Sequence, residues 1–306
     1  FSWPRTVQMN ASIQRQIFKD LVVGAAYVGT RSSRLPFGRD VNYPVLVSGV
    51  MRRPNSGFGA VTMLDSDQDA SYDAMQVTSA GRFGKLMSFN AFYVFSKTLS
   101  SVQLHNNTTQ GLAQNSNRLD LEKGRADTDQ RHVFSMSMNF QPDFYRGDNK
   151  FAKAIINGWS ISPIVKLRSG RPFTVGNANN DANLDGVNNT DRARLIGDPF
   201  IDNPTTDRWF NTAAFALNTP VTGSPVDGTS PRNLLTGPGF KVVDLALSRD
   251  FRFGERYKLR LRAEGTNVFN MASYDFPNTT LTSPDFGRVN GAGAMRRLQF
   301  GARFTF

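Results

Sequence analysis

RRLQFGARFTF, residues 296–306, is the stretch that decides the fold. In an extended chain successive side chains point to opposite faces. Leu298, Phe300, Ala302, Phe304 and Phe306 therefore share one face, and Arg297, Gln299, Gly301, Arg303 and Thr305 share the other. A soluble sheet shows such alternation too. About 9 to 11 residues, however, is also the length at which a tilted strand crosses a bilayer with its apolar side to lipid and its polar side to a lumen. The apolar side here ends on aromatic rings, so the stretch reads as a membrane strand.

The same period precedes it. In residues 257–269 (YKLRLRAEGTNVF), Tyr257, Leu259, Leu261, Ala263 and Gly265 alternate with Lys258, Arg260, Arg262, Glu264 and Thr266. Residues 243–253 set Val243, Leu245, Leu247, Phe251 and Phe253 against Asp244, Ala246, Ser248, Asp250 and Arg252. Gly254, Glu255 and Arg256 join these two as a tight hairpin, whereas residues 270–295 are rich in Asn, Ser, Thr, Pro and Gly. Further strands are predicted over residues 6–17, 21–30, 72–83, 85–100, 131–141 and 158–173. Pro163, inside the last of these, predicts a bulge, because proline removes a ladder hydrogen bond. Residues 142–157 make a turn longer than its counterparts, and residues 31–70, 101–130, 174–239 and 270–295 read as long loops. The expectation is an all-β chain of about nine antiparallel strands, with short periplasmic turns alternating with long extracellular loops. An odd count, set against the even numbers of single-chain bacterial barrels, implies a portion of a larger transmembrane β-barrel.

Composition agrees with that reading. Charged residues are 20% and mean hydropathy is −0.38, values that a barrel with a polar lumen reaches because its apolar residues are interleaved. The apolar run at residues 21–29 is too short for a spanning helix, which needs roughly 18 residues or more. There is no Cys, which removes disulfides, thiolate catalysis and thiolate metal sites. The chain begins at Phe1 without a basic and apolar leader, so the export signal of an outer-membrane protein is expected to lie upstream or to have been removed. A net charge of +11 raises nucleic acid as a partner. The cations fall on polar strand faces, among them Arg82, Lys166, Arg168, Lys258, Arg260, Arg262, Arg297 and Arg303, and a basic lumen wall explains that placement better than a nucleic-acid patch. Such a wall either focuses a field on an anionic solute or pairs with acids on a plug and on neighbouring strands.

In the loop DANLDGVNNTD, residues 181–191, Asp181, Asn183, Asp185 and Asp191 with Gly186 at the turn have the start of a calcium loop. Position 12 is Arg192 where a bidentate Glu is required, and the alternative is a polar loop whose Asn, Asp and Gly satisfy turn geometry. Calcium is the one candidate cofactor, and none is required. His105 and His132 are the only histidines. No Ser-His-Asp set, phosphate-binding glycine loop or paired carboxylates occur in sequence positions that suggest an enzyme. Tyr27, Tyr93, Trp159, Tyr257, Phe300, Phe304 and Phe306 fit aromatic girdles at the two membrane interfaces.

Several motifs in order carry a family resemblance. They are AAYVGTRSSRL (25–35), SYDAMQV (71–77), YVFSKTLS (93–100), DQRHVFSMS (129–137), NGWSISPIVKLRSGRPFTV (157–175), LRAEGTNVFN (261–270), FGRV (286–289) and the closing RRLQFGARFTF. Together they span essentially the whole chain, which resembles the C-terminal barrel portion of TonB-dependent outer-membrane receptors, most closely the Oar-like branch with its carboxypeptidase-regulatory-like domain. The resemblance implies a site in the Gram-negative cell outer membrane, contact with its lipid and lipopolysaccharide, and uptake of a bulky solute energised by TonB. It also implies a plug and further barrel strands of the same protein as partners, since no plug or N-terminal domain is visible in residues 1–306. A structural or adhesive outer-membrane barrel whose long loops bind partners is the second reading, and a secreted β-sandwich the third.

Overall fold

The computed structural model describes residues 2–102, 113–187, 190–220, 225–254 and 256–306. Nine long strands form one antiparallel sheet in chain order: β1 Arg5–Phe18, β2 Leu21–Asp40, β3 Thr62–Phe83, β4 Met87–Ser100, β5 His132–Phe140, β6 Trp159–Arg168, β7 Phe240–Phe253, β8 Tyr257–Thr266 and β9 Arg297–Thr305. Each strand pairs with its chain neighbour, so the sheet is a pure meander. At one end the connections are tight. Gly84 and Gly254 take φ of +56° and +66° there, a region open to glycine at no steric penalty.

Opposed residues in an antiparallel ladder share a face, so the register sorts the side chains of all nine strands. Starting from Phe300, the ladder runs through Ala263, Leu247, Ile161 and Phe140 to Met87 and Phe83. By the same ladder Val7, Met9, Ala11 and Ile13 of β1, and Leu21, Val23 and Ala25 of β2, join that face. It is apolar from the first strand to the last. Leu298, Phe300 and Phe304 on it are 60%, 77% and 56% exposed, so no second protein layer covers the predicted lipid face. The face of Ser88, Asn90, Phe92, Val94 and Ser96 is the polar one, since Arg82 opposes Ser88. Tyr27 and Tyr93 mark the long-loop end of the apolar band; the Tyr27 hydroxyl donates to Asp73 at 2.6 Å, and the Tyr93 hydroxyl lies 2.7 Å from His132 Nδ1. Phe83, Phe140, Trp159, Phe251 and Tyr257 mark the short-turn end. This is the girdled band of an outer-membrane barrel wall.

Four expectations are corrected. Strands β2 and β3 run about ten residues further than the alternation predicts, so the loop expected over 31–70 shrinks to 41–61, with its own hairpin of Val45–Val47 and Val50–Arg52. Beyond the hydrocarbon no lipid fixes one face as apolar, so the ladder continues with residues such as Arg31, Ser32 and Asp65 and leaves no apolar period to read. Pro163 carries no bulge: the ladder to β5 omits the pairings at Pro163 and Ser162 and resumes in the same register at Phe140 and Ile161, while the ladder to β7 is unbroken. The bulged proline is instead Pro36, in a strand whose register shifts between Ser32 and Phe37 and whose Arg34 has φ +58°. Finally, the turn of residues 142–157 holds a short helix, α1, Lys150–Ile156, and β8 stops at Thr266, where residues 257–269 read as strand.

The hydrophobic core lies in the loops. Phe173, Val175, Ala193, Phe210, Ala214, Phe215 and Leu235 form the buried cluster, with Trp209, Leu281 and Phe286 packed against it. Phe210 sits 5.6 Å from Phe215 and 5.2 Å from Phe286, edge to face in both pairs.

Candidate functional site: the polar wall and the loop cap

All eight basic residues read as lumen-facing fall on one face of the sheet. Arg82 opposes Ser88, Lys166 opposes Ser135, Arg168 opposes Val133, and Lys258, Arg260, Arg262 and Thr266 oppose Thr305, Arg303, Gly301 and Arg297. The acids of that face lie on β7 and β8. Asp250 accepts both nitrogens of an Arg260 fork at 2.6 and 2.9 Å and the Lys258 ammonium at 2.8 Å, and Arg262 pairs with Glu264 on its own strand. Among the described residues no carboxylate pairs with Arg82, Lys166, Arg168, Arg297 or Arg303. The wall thus neutralises part of its charge and leaves a net cationic surface, which raises the local concentration of anions.

At the long-loop end the connections are tied together. Arg192 and Glu122 form a buried pair at 2.8 Å, with side chains 4% and 2% exposed. The second guanidinium nitrogen donates to Leu121 O at 3.1 Å, the Gln114 backbone N–H donates to Glu122, and the Gln114 amide oxygen accepts from the Arg192 backbone N–H at 2.9 Å. Nearer the sheet, Asp129 accepts from Arg125 at 2.8 Å and from the Thr98 backbone of β4 at 2.7 Å. Asn233 bridges to Asp127 and to Arg125 O, and Arg232 donates to Ser100 O. The described residues of loops 101–131 and 169–239 are therefore one packed cap. Nothing in the sequence period marked Gln114 or Glu122, because the Arg192 that binds both lies some 70 or more residues away in the chain.

In the loop 181–191, Asp181 accepts from the backbone N–H groups of Asp185 and Gly186 at 3.0 and 2.9 Å, Asp185 from Val187 at 2.7 Å, and Asp191 from Ala182 at 2.8 Å. The Asn183 amide donates to Gln114 O, and Arg53 donates to Asp185 O. These contacts serve turn geometry. Asp191 Oδ1 is nonetheless buried without a partner. Burial, followed by the nearby Asp185, Asp181 and Asp227 carboxylates, pushes Asp191 up to about 7, and burial raises Asp185 to about 6. Burial first, then the same carboxylates, raises the Tyr43 hydroxyl as well. Among the described residues no three His, Asp or Glu side chains converge as a metal-binding group. His132 stands at the start of β5 against Tyr93 and Phe95, and His105 lies outside the described residues.

Residues 1–299 match the model of the outer membrane beta barrel domain. The chain belongs to that family. It is an outer-membrane barrel wall, and its fold recurs in solved transporters. The outer membrane transporter YddB from Escherichia coli is 10% identical, with a TM-score of 0.51 over 99% of this chain and 32% of that one. The FpvAI receptor in its complex with pyocin S2 is 9% identical, with a TM-score of 0.51 over 99% of this chain and 27% of that one. The chain thus spans about a third or less of the length of the transporters it matches. No curated protein matches it.

Arg249 breaks the period of this barrel wall while being buried. Arg249 opposes Trp159 and Leu261 on the apolar face yet is 5% exposed. Its guanidinium lies 5.2 Å from the Trp159 ring and 4.4 Å from the Phe251 ring, and it donates to Ile155 O at the end of α1. A cation at an apolar position of residues 243–253 was the signal for it.

Proposed function

We propose that this chain forms the C-terminal part of the wall of a TonB-dependent receptor, of the Oar-like kind, that takes up a bulky solute across the outer membrane. The observation that carries the reading is the register-consistent polar wall, with five cations unpaired among the described residues, on the fold that YddB and FpvAI share with it. Strands β1 and β9 each have one partner in the described sheet, and an open edge in hydrocarbon leaves a row of backbone groups unsatisfied. Further strands of the same receptor and a plug against the cationic wall meet both needs. Cells lacking this gene, cells lacking TonB and the parent strain, grown on the same complex medium, test it by mass spectrometry of the spent medium. Depletion by the parent alone of solutes too large for porins supports receptor-mediated uptake; equal depletion by all three overturns it.

A second reading concerns calcium in the loop 181–191, and the orphaned Asp191 Oδ1 favours it. Asp181, Asn183, Asp185 and Asp191 would supply the oxygens, together with backbone carbonyls. A melting temperature of the cap that falls on adding EGTA and recovers with excess calcium supports the site. A melting curve unchanged by both reagents removes it.

A further inference from the structure

The apolar belt does not stop at the short-turn rim of β6 and β7. Residues 142–157 leave β5 there, and Asn149 caps α1 by accepting from the Phe151 and Ala152 backbone N–H groups at 3.0 and 3.2 Å. Asn157 clamps the other end, accepting from Tyr145 N and donating to Tyr145 O, both at 2.8 Å. The carbonyl of Ile155 takes hydrogen bonds from the indole of Trp159, at 3.1 Å, and from Arg249. Both donors stand on the apolar face of the sheet, so the helix hangs on the lipid side of the wall and not in the lumen. One side of it is apolar: Phe151 is 75% exposed, Ile155 and Ile156 are exposed as well, and Phe144 is exposed just before the helix. Lys153 of the helix, with Arg146 and Arg249, lines a cleft that also holds Asp143, and Asp250 and Arg252 of the polar face reach its edge. Asp250 is already neutralised by Lys258 and Arg260, which leaves the cleft cationic, and the buried Nε of Arg249 has no partner.

We propose that this rim segment docks on the periplasmic leaflet of the outer membrane, with Phe144, Phe151 and Ile155 among acyl chains and the cleft of Arg146, Lys153 and Arg249 on the phosphate of an anionic phospholipid. Two observations select lipid as the occupant. The exposed side chains continue the girdle of Trp159 and Phe251 without a break, and the cations sit where headgroups follow the hydrocarbon. Arg249 then pins the segment to the wall: its guanidinium lies against the Trp159 and Phe251 rings and holds the carbonyl of Ile155.

Residues 1–306 contain no cysteine, so the test needs replacement only of any cysteine elsewhere in the receptor. Single cysteines at 151, 153 and 155 carry nitroxide labels in the whole receptor, reconstituted in vesicles of phosphatidylethanolamine and phosphatidylglycerol. Labels at 151 and 155 relax with oxygen and resist an aqueous nickel chelate, and the label at 153 does the reverse. Equal chelate access at all three positions overturns the docking, as does protection at 151 that vanishes when the protein is diluted in lipid, since that would assign the face to a second copy. For the headgroup, the unlabelled receptor selects spin-labelled phosphatidylglycerol over phosphatidylcholine, and R146Q and K153Q each reduce the preference about fivefold. A wild-type receptor without preference, or variants that keep it in full, refute the phosphate site.

Discussion

Replacing Glu122 with alanine is the sharpest probe of the cap. Among the described residues its carboxylate is the only acid paired with Arg192, whose side chain is 4% exposed and whose Nε already has no partner. Its loss leaves a buried guanidinium with one carbonyl, Leu121 O, and takes the acceptor from the Gln114 backbone N–H. An uncompensated buried charge costs about 3–5 kcal/mol, and an orphaned N–H adds about 1–3 kcal/mol. With a urea slope of about 2 kcal/mol/M for a small unit, the midpoint falls by about 3 M. Trp209 reports on this event, since its indole donates to Thr236 O at 2.8 Å and its ring packs on the core. Urea titration of its fluorescence, in a W3F/W159F background in detergent micelles, reads the shift. The double change E122L/R192M removes both charges and recovers most of the loss, because a buried pair replaced by apolar groups of similar volume is often neutral. A single mutant within about 1 kcal/mol of wild type, or a double mutant worse than the single, would refute the reasoning.

Two further outcomes separate the faces and the loop. Phe300→Arg on the lipid face costs about 2–4 kcal/mol, against about zero for Gln299→Arg one residue away on the polar face; heat-modifiable migration of the assembled receptor compares them, and equal effects would contradict the sidedness. In calcium-free buffer the cap loses stability as pH rises from about 4 to about 7. Asp191 and Asp185 hold protons in the folded cap up to about 7 and about 6 while the unfolded chain releases them near 3.8. Asp191→Asn flattens most of that slope in Trp209 melts at stepped pH, and an unchanged slope would show that Asp191 does not cause it.

The wall was legible and the cap was not, for one physical reason. In a bilayer the environment flips at every residue, so Leu259 and Arg260 reveal their sides by their chemistry alone, and the shared polar face of the eight cations follows from the period. Above the hydrocarbon that constraint ends. Residues 31–40 and 62–70 keep their ladder without keeping an alternation, and Glu122 finds Arg192 through tertiary packing that no local pattern encodes. Pro36 and Pro163 show the same limit: a proline predicts a missing donor, while the neighbouring ladder decides whether the strand bulges. Arg249 was visible as an exception, but its meaning depends on α1, which a seven-residue helix among turn residues does not announce.

The unbroken register across nine strands governs how such a wall can change over evolutionary time. With no buried core behind it, only the surroundings hold each strand in phase, and deleting a single residue from the middle of β8 would turn the arginines of its remaining half toward hydrocarbon. Substitutions within a face are mild by comparison. Gains and losses of length should therefore collect in the cap and in residues 142–157, and the transmembrane strands of related receptors should align residue for residue without gaps.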